Sequence, residues 1–196
     1  MNINKLLITA IISLSALPLL GQCKPLFIGD SLTYELAMSY KERAPVDAKF
    51  LESTGLQSTK LLHWQNYIQK INFQQYDTVY IVLGTNDLIH QSDVQAYQQK
   101  AMQFLNVIKH KNKNIVWLLP PTLKNEKKNA LLNNTRLAIK NAAYQEGIKT
   151  LDMRNALGNK YTDIINGVQV RTYDGIHITK NGANAVITNL IKIKYE

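Results

Sequence analysis

Three short apolar segments, each closed by a residue that breaks regular structure, constrain this chain more than anything else in it. Leu26-Phe27-Ile28 ends at Gly29, residues 78–83 end at Gly84, and residues 115–119 end at Pro120-Pro121. None alternates apolar with polar positions as a half-exposed strand does. Each therefore predicts a strand covered on both faces, as in a parallel sheet. Weaker strand segments cover residues 49–52 and, after Gly147, residues 148–152.

Helical periodicity fills the intervals. Val94, Tyr97, Ala101, Phe104, Leu105 and Ile108 mark one apolar stripe, with Ser92 and Gln95 spaced as a capping box before it. Leu131, Thr135, Ala138 and Ala142 form another stripe ahead of Gly147, and Leu61, Ile68 and Ile71 predict a helix starting near Ser58. A last helix is expected from about Asn181 to Lys194. Strand followed by helix, repeated, gives a three-layer α/β/α sandwich with a central parallel sheet and right-handed crossovers. Functional groups in such sheets gather beyond the carboxyl ends of the strands. There is no internal repeat, interdomain linker or second domain.

Residues 1–23 differ in kind: one lysine, an aliphatic run over residues 6–20, then Gly21-Gln22-Cys23. This reads as a signal peptide ahead of one domain over residues 24–196, and so as an exported bacterial protein, periplasmic or secreted. The run is shorter than a bilayer crossing requires and is not repeated, so the mature chain is expected to have no transmembrane span. Cys23 is the only cysteine. It is either a lipid-anchor site, which Leu20-Gly21 suits and Gln22 does not, or the residue before the cleavage point, leaving a cysteine-free chain suited to an oxidising compartment. The formal charge of +9 falls by only one without Lys5. Its charges are scattered with no aromatic-basic ribbon, which argues against nucleic acid and for an anionic wall or lipid surface.

Three motifs carry chemistry. Gly29-Asp30-Ser31-Leu32 puts Ser31 where the first strand becomes a helix, with backbone amides aimed at its hydroxyl. Read alone, Ser31 is as well explained as a helix cap. Gly84-Thr85-Asn86-Asp87 brings a side-chain amide to the same edge, although alone it is a turn. Asp174-Gly175-Ile176-His177 places a carboxylate three residues before an imidazole, close enough to fix its tautomer. Alone it could be a surface loop, or half of a metal site with His63 or His90, but no second cluster has metal-ligand spacing. No metal and no cofactor is expected. Together the motifs set nucleophile, base and acid along one rim. The serine lacks the second glycine of an α/β-hydrolase elbow, and that family holds its Asp and His far apart.

The combination resembles the SGNH, or GDSL, hydrolase family across nearly the whole chain from Leu26 onward. Ser31 matches the nucleophile of the Gly-Asp-Ser-Leu block, Gly55 in Ser53-Thr54-Gly55-Leu56 the glycine block, Asn86 the asparagine block, and Asp174 with His177 the final Asp-x-x-His block. The resemblance implies a flavodoxin-like SGNH hydrolase fold and a serine esterase. Ser31 attacks, His177 serves as general base and then acid, and Asp174 orients the ring. The amides of Ser31 and Gly55 and the side chain of Asn86 form the oxyanion hole.

Small envelope members of that family suggest O-acetyl groups on peptidoglycan or an exported polysaccharide as substrate. Trp64 either stacks on a sugar ring or packs in the core. Rival readings are a periplasmic thioesterase or lysophospholipase, which needs an apolar groove beside Ser31, an O-acetyltransferase, and a non-enzymatic binding or assembly protein on the same scaffold. Tyr34, Leu36 and Met38 after the nucleophile do not decide between groove and open cleft. The sequence leaves the oligomeric state open.

Overall fold

A computed structural model describes residues 24–57 and 60–193. The expected signal peptide, Cys23 and Lys194 lie outside them; the last helix, expected to reach Lys194, ends at Leu190, where Ile191 turns to extended backbone. Five strands, β1 (Lys24–Gly29), β2 (Asp47–Phe50), β3 (Tyr76–Val82), β4 (Ile115–Leu119) and β5 (Lys149–Asp152), form one sheet in the order β2-β1-β3-β4-β5. Every pairing in it is parallel.

The sheet is covered on both faces, which explains the unbroken apolar runs. Leu26, Ile28, Val79, Ile81, Ile115, Trp117 and Leu119 point into one core, shared with α3 (Val94–Lys109) and α4 (Glu126–Glu146). Their neighbours Phe27, Tyr80, Val82 and Leu118 point into the opposite core, beneath α1 (Leu32–Lys41), α5 (Arg154–Leu157) and α6 (Lys180–Leu190). The strand period of two is intact, but both sides of it are apolar. Burial of each such side chain contributes about 2 kcal/mol before entropy is counted. The chain passes from β1 outward to β2 and returns to the other side of β1 with β3. A crevice therefore opens at the carboxyl end between β1 and β3.

Helix ends follow local chemistry. The Asn125 side chain accepts the Lys128 amide at 3.0 Å to start α4, Gly147 ends it in left-handed backbone at φ 66°, and Thr179 accepts the Gly182 amide at 3.2 Å to start α6. Two further expectations need correction. The helix expected from Ser58 is only a short α2 (Trp64–Tyr67) followed by a 3-10 turn, Ile68–Lys70. Leu61 is exposed, and Ile68 and Ile71 are both buried because a three-residue repeat also suits a 3-10 turn. Ser92 does not cap α3: it lies inside a 3-10 turn, Gln91–Asp93, and its hydroxyl meets Asp93 Oδ1 at 3.4 Å. An unforeseen hairpin joins β6 (Ile164–Ile165) to β7 (Val168–Gln169) through Asn166-Gly167, both at positive φ as a type I′ turn requires.

Candidate active site

β1 carries Gly29-Asp30-Ser31 to the rim of the crevice. A β-carbon on Gly29 would stand 1.8 Å from the Val82 carbonyl oxygen, so only glycine lets the two strands close this tightly. The Asp30 amide then donates to that carbonyl at 2.8 Å. Ser31 has helical backbone, φ −57° and ψ −29°, yet its side chain makes no cap bond. The Asp30 carboxylate does that work instead, accepting the Leu32 amide at 3.1 Å. The hydroxyl of Ser31 is thereby released to point at His177, whose Nε2 lies 2.8 Å away across a sequence separation of 146 residues.

The ring of His177 is held from behind. Its Nδ1 lies 2.6 Å from Asp174 Oδ2. Asp174 Oδ1 accepts from the Thr172 hydroxyl at 2.7 Å and from the amides of Ile176 and His177 at 2.8 and 2.9 Å. Partial burial pushes the Asp174 carboxyl up, but the bonds from the His177 ring, Thr172 and the two amides outweigh it and hold it well below the usual carboxylate range. An ionised Asp174 keeps the proton on Nδ1, so Nε2 presents a lone pair to the serine hydroxyl.

The loop bearing both groups rests on Arg171, which is buried and faces no carboxylate at ion-pair distance among the described residues. Its guanidinium donates to the Ile176 carbonyl at 2.8 Å and to the His177 carbonyl at 3.3 Å, and lies 5.2 Å over the Tyr161 ring. Burial lowers its pKa, while the Tyr161 and Asp174 oxygens act to raise it. On its outer side the loop is tied to the segment after β4, with the Lys124 amide donating to the Gly175 carbonyl at 3.0 Å.

Gly55 and Asn86 sit together on the other bank. The Asn86 side-chain amide donates to the Thr54 carbonyl at 2.9 Å, which uses one of its two hydrogens. Gly55 lies against Asp87 so closely that a β-carbon would be 2.1 Å from the carboxylate. That carboxylate accepts the amides of Leu56 at 2.8 Å and Gln57 at 2.9 Å, and the Tyr97 hydroxyl at 2.7 Å. Among the described residues no acceptor meets the amide of Ser31 or of Gly55. Two backbone amides and one hydrogen of a side-chain amide are thus left without an acceptor in the three loops that follow β1, β2 and β3. With the imidazole to deprotonate the hydroxyl, such a set can stabilise an oxyanion.

Asp30 is fully buried, and its Oδ2 has no hydrogen-bond partner among the described residues. Burial pushes its carboxyl up to about 7, the Leu32 amide opposing and the nearby Asp87 charge reinforcing the shift. Asp87 and Arg171 are the functional candidates that sequence reasoning missed. Asp87 stood in a quoted motif but reads there as a turn residue, whereas a buried arginine supported by carbonyls leaves no pattern at all. Trp64 is buried, with its indole N–H on the Thr54 hydroxyl at 3.1 Å. His63 and His90 are exposed, and no group of three potential metal ligands occurs among the described residues.

A model of the family described as "Protein of unknown function (DUF459)", which is SGNH-like, matches residues 24–192. No curated protein matches the chain in sequence. Among solved structures it is similar to a lipase/acylhydrolase from Enterococcus faecalis, at TM-score 0.61 and 12% identity over 88% of this chain and 100% of that one. A member of the lipolytic protein G-D-S-L family from Veillonella parvula has TM-score 0.64 and 14% identity over 85% and 94%. A carbohydrate acetylesterase from Sinorhizobium meliloti has TM-score 0.61 and 14% identity over 84% and 94%. At these identities the likeness is one of fold, and the fold is that of the SGNH hydrolases.

Proposed function

We propose that this chain, which belongs to the DUF459 family, is a serine hydrolase of carboxylic esters that works through an acyl-enzyme on Ser31. One observation carries the reading: the hydroxyl, imidazole and carboxylate of Ser31, His177 and Asp174 form a continuous hydrogen-bonded relay at 2.8 and 2.6 Å on an open rim. A buried polar network of this kind could serve stability, but this one is half exposed, where it contributes little to folding.

The steps follow from the geometry. His177 Nε2 takes the Ser31 proton as Oγ bonds to the ester carbon, and the carbonyl oxygen becomes an oxyanion held by the amides of Ser31 and Gly55 and the second hydrogen of Asn86. The ester C–O bond breaks as His177 passes its proton to the departing alkoxide. Water then adds to the acyl carbon while His177 takes its proton. The proton returns to Ser31 Oγ as the carboxylic acid leaves.

An O-acetyl ester of an envelope carbohydrate is the substrate that the acetylesterase among the fold neighbours and the basic surface support. Residues 1–23, read as a signal peptide, would bring the enzyme to it. A second reading is an ester of a longer apolar acid, which the lipase/acylhydrolase among the fold neighbours supports. A fluorophosphonate probe is expected to label the wild type at Ser31 and not Ser31→Ala. Well-folded wild type that takes up no label would leave a binding protein on a hydrolase scaffold. Acetate release from O-acetylated peptidoglycan and xylan tests the first substrate class.

A further inference from the structure

The side chain of Lys124 is held on the loop that carries the acid and base of the relay. Its stem lies against Gly175, where an added β-carbon would stand 2.5, 3.3 and 3.1 Å from Lys124 Cβ, Cγ and Cδ, and its amide donates to the Gly175 carbonyl at 3.0 Å. Gly175 follows Asp174 and stands two residues before His177, at most about 7 Å of backbone. Lys124 is exposed, and among the described residues no carboxylate lies at ion-pair distance from its ammonium. The same holds for Lys127 and Lys128, which stand exposed in the first turn of α4. Cations there oppose the helix dipole, so helix stability does not account for them.

The rim itself repels anions, because Asp174 is ionised and its side chain is 46% exposed. Arg171 beneath the loop is buried and directs its donors to carbonyls, whereas the Lys124 ammonium meets water and anything dissolved in it. Chemistry decides which half of an ester comes near. His177 gives its proton to the leaving oxygen, so the alcohol half lies at the imidazole, on the loop against which Lys124 is packed. Tyr173, on the other side of Asp174, is 91% exposed, and this leaves the loop open to an alcohol carried on a polymer. A lysine whose stem is already packed loses less freedom when its ammonium meets an anion.

We propose that Lys124 is a specificity-determining residue for the alcohol half of the substrate, and that it selects esters whose alcohol bears a carboxylate or a phosphate, as in acidic polysaccharides and polyol phosphates. The proposal rests on the Ser31 acyl-enzyme described above and names the charge of its leaving alcohol. The test measures kcat/KM of the full chain on para-acetoxybenzoate, para-acetoxyphenyl phosphate and the uncharged para-acetoxybenzamide, each divided by the rate of the same ester with imidazole. At low salt both anions are expected to exceed the amide about fivefold, and the preference fades near ~1 M salt, where the screening length is about 3 Å. Lys124→Met keeps the stem on Gly175 and is expected to lower the preference about threefold, Lys124→Glu about tenfold, and Lys124→Arg keeps it. The monoester of p-nitrophenol with succinate, whose charge sits on the acyl half, serves as control against p-nitrophenyl butyrate. Acetate release from O-acetylated polyuronate and O-acetylated polyol phosphate, each relative to its Lys124→Met rate, tells which anion the residue serves. Fluorophosphonate labelling at Ser31 verifies that each variant is folded. Labelled protein that cleaves the amide as fast as the anions, a preference that Lys124→Met and Lys124→Glu leave alone, or an equal fall for the succinate monoester overturns the assignment and leaves the esterase intact. A protein that neither labels nor cleaves any ester overturns both.

Discussion

At the residue scale, the division of labour between Asp30 and Ser31 stands out. Capping the first turn of α1 is the ordinary task of a serine at this position, and here the preceding carboxylate performs it, which leaves the hydroxyl for His177. Asp30 is costly to hold there. Its folded pKa of about 7 stands above the ordinary value of 3.8, so between those pH values the folded state binds the proton and the unfolded state does not. Stability contributed by this group is therefore complete near pH 4 and declines as pH rises to 7. Asp30→Asn keeps the acceptor for Leu32 and removes that decline. Its stability gain over wild type in urea unfolding is expected to grow from near zero at pH 4 to a few kcal/mol, in order of magnitude, at pH 8; a pH-independent difference would contradict a protonated Asp30. Turnover argues the roles more directly. His177→Ala is expected to lose roughly ten-thousandfold in kcat, and Asn86→Ala about a hundredfold to a thousandfold, with normal circular dichroism in both. Ser31 and Asn86 were legible in the sequence because each follows a strand that closes on a glycine, and Asp174 with His177 because a carboxylate three residues before an imidazole stands out by itself. Their supports were not, since Arg171 is satisfied by carbonyl oxygens and Asp87 by loop amides that no residue pattern announces.

At the scale of elements, the strands of the five-stranded sheet were legible and the helix expected after Ser58 was not, for related reasons. A strand between two helical layers is apolar at every position, and β4 appears in the sequence at its true bounds, 115–119. Between β2 and β3 the isoleucines at 68 and 71 fit either a helix or a 3-10 turn, and only the exposure of Leu61 separates them. That connection carries Gly55, whose loop is held by Asp87 from the segment after β3. Asp87→Ala leaves two amides and the Tyr97 hydroxyl without their acceptor. It is expected to cost on the order of 3 kcal/mol in unfolding free energy and to lower kcat while fluorophosphonate still finds Ser31. Gly55→Ala forces a methyl group onto the same carboxylate, and at least a tenfold loss of kcat/KM is expected in ester hydrolysis assays. Activity equal to wild type in both variants would show that the loop is set by something else.

At the scale of the molecule, the two cores on either face of the sheet share every central strand, so neither can melt while the other stays ordered. Trp64 and Trp117 both sit in the core under α3 and α4, whereas far-ultraviolet circular dichroism reports on helices of both layers. Urea transitions followed by the two signals are expected to coincide, and an earlier fluorescence transition would mean that the layers unfold separately.

The docking of α6 on α1, through Ser39 with Asn184 and Arg43 with Thr188, has a consequence in time. Ser31 emerges early in synthesis and His177 late, after every strand of the five-stranded sheet. With Ser31 and His177 in the roles proposed, a growing chain in which α6 has not yet been made and seated holds the serine without its imidazole and is expected to be chemically silent.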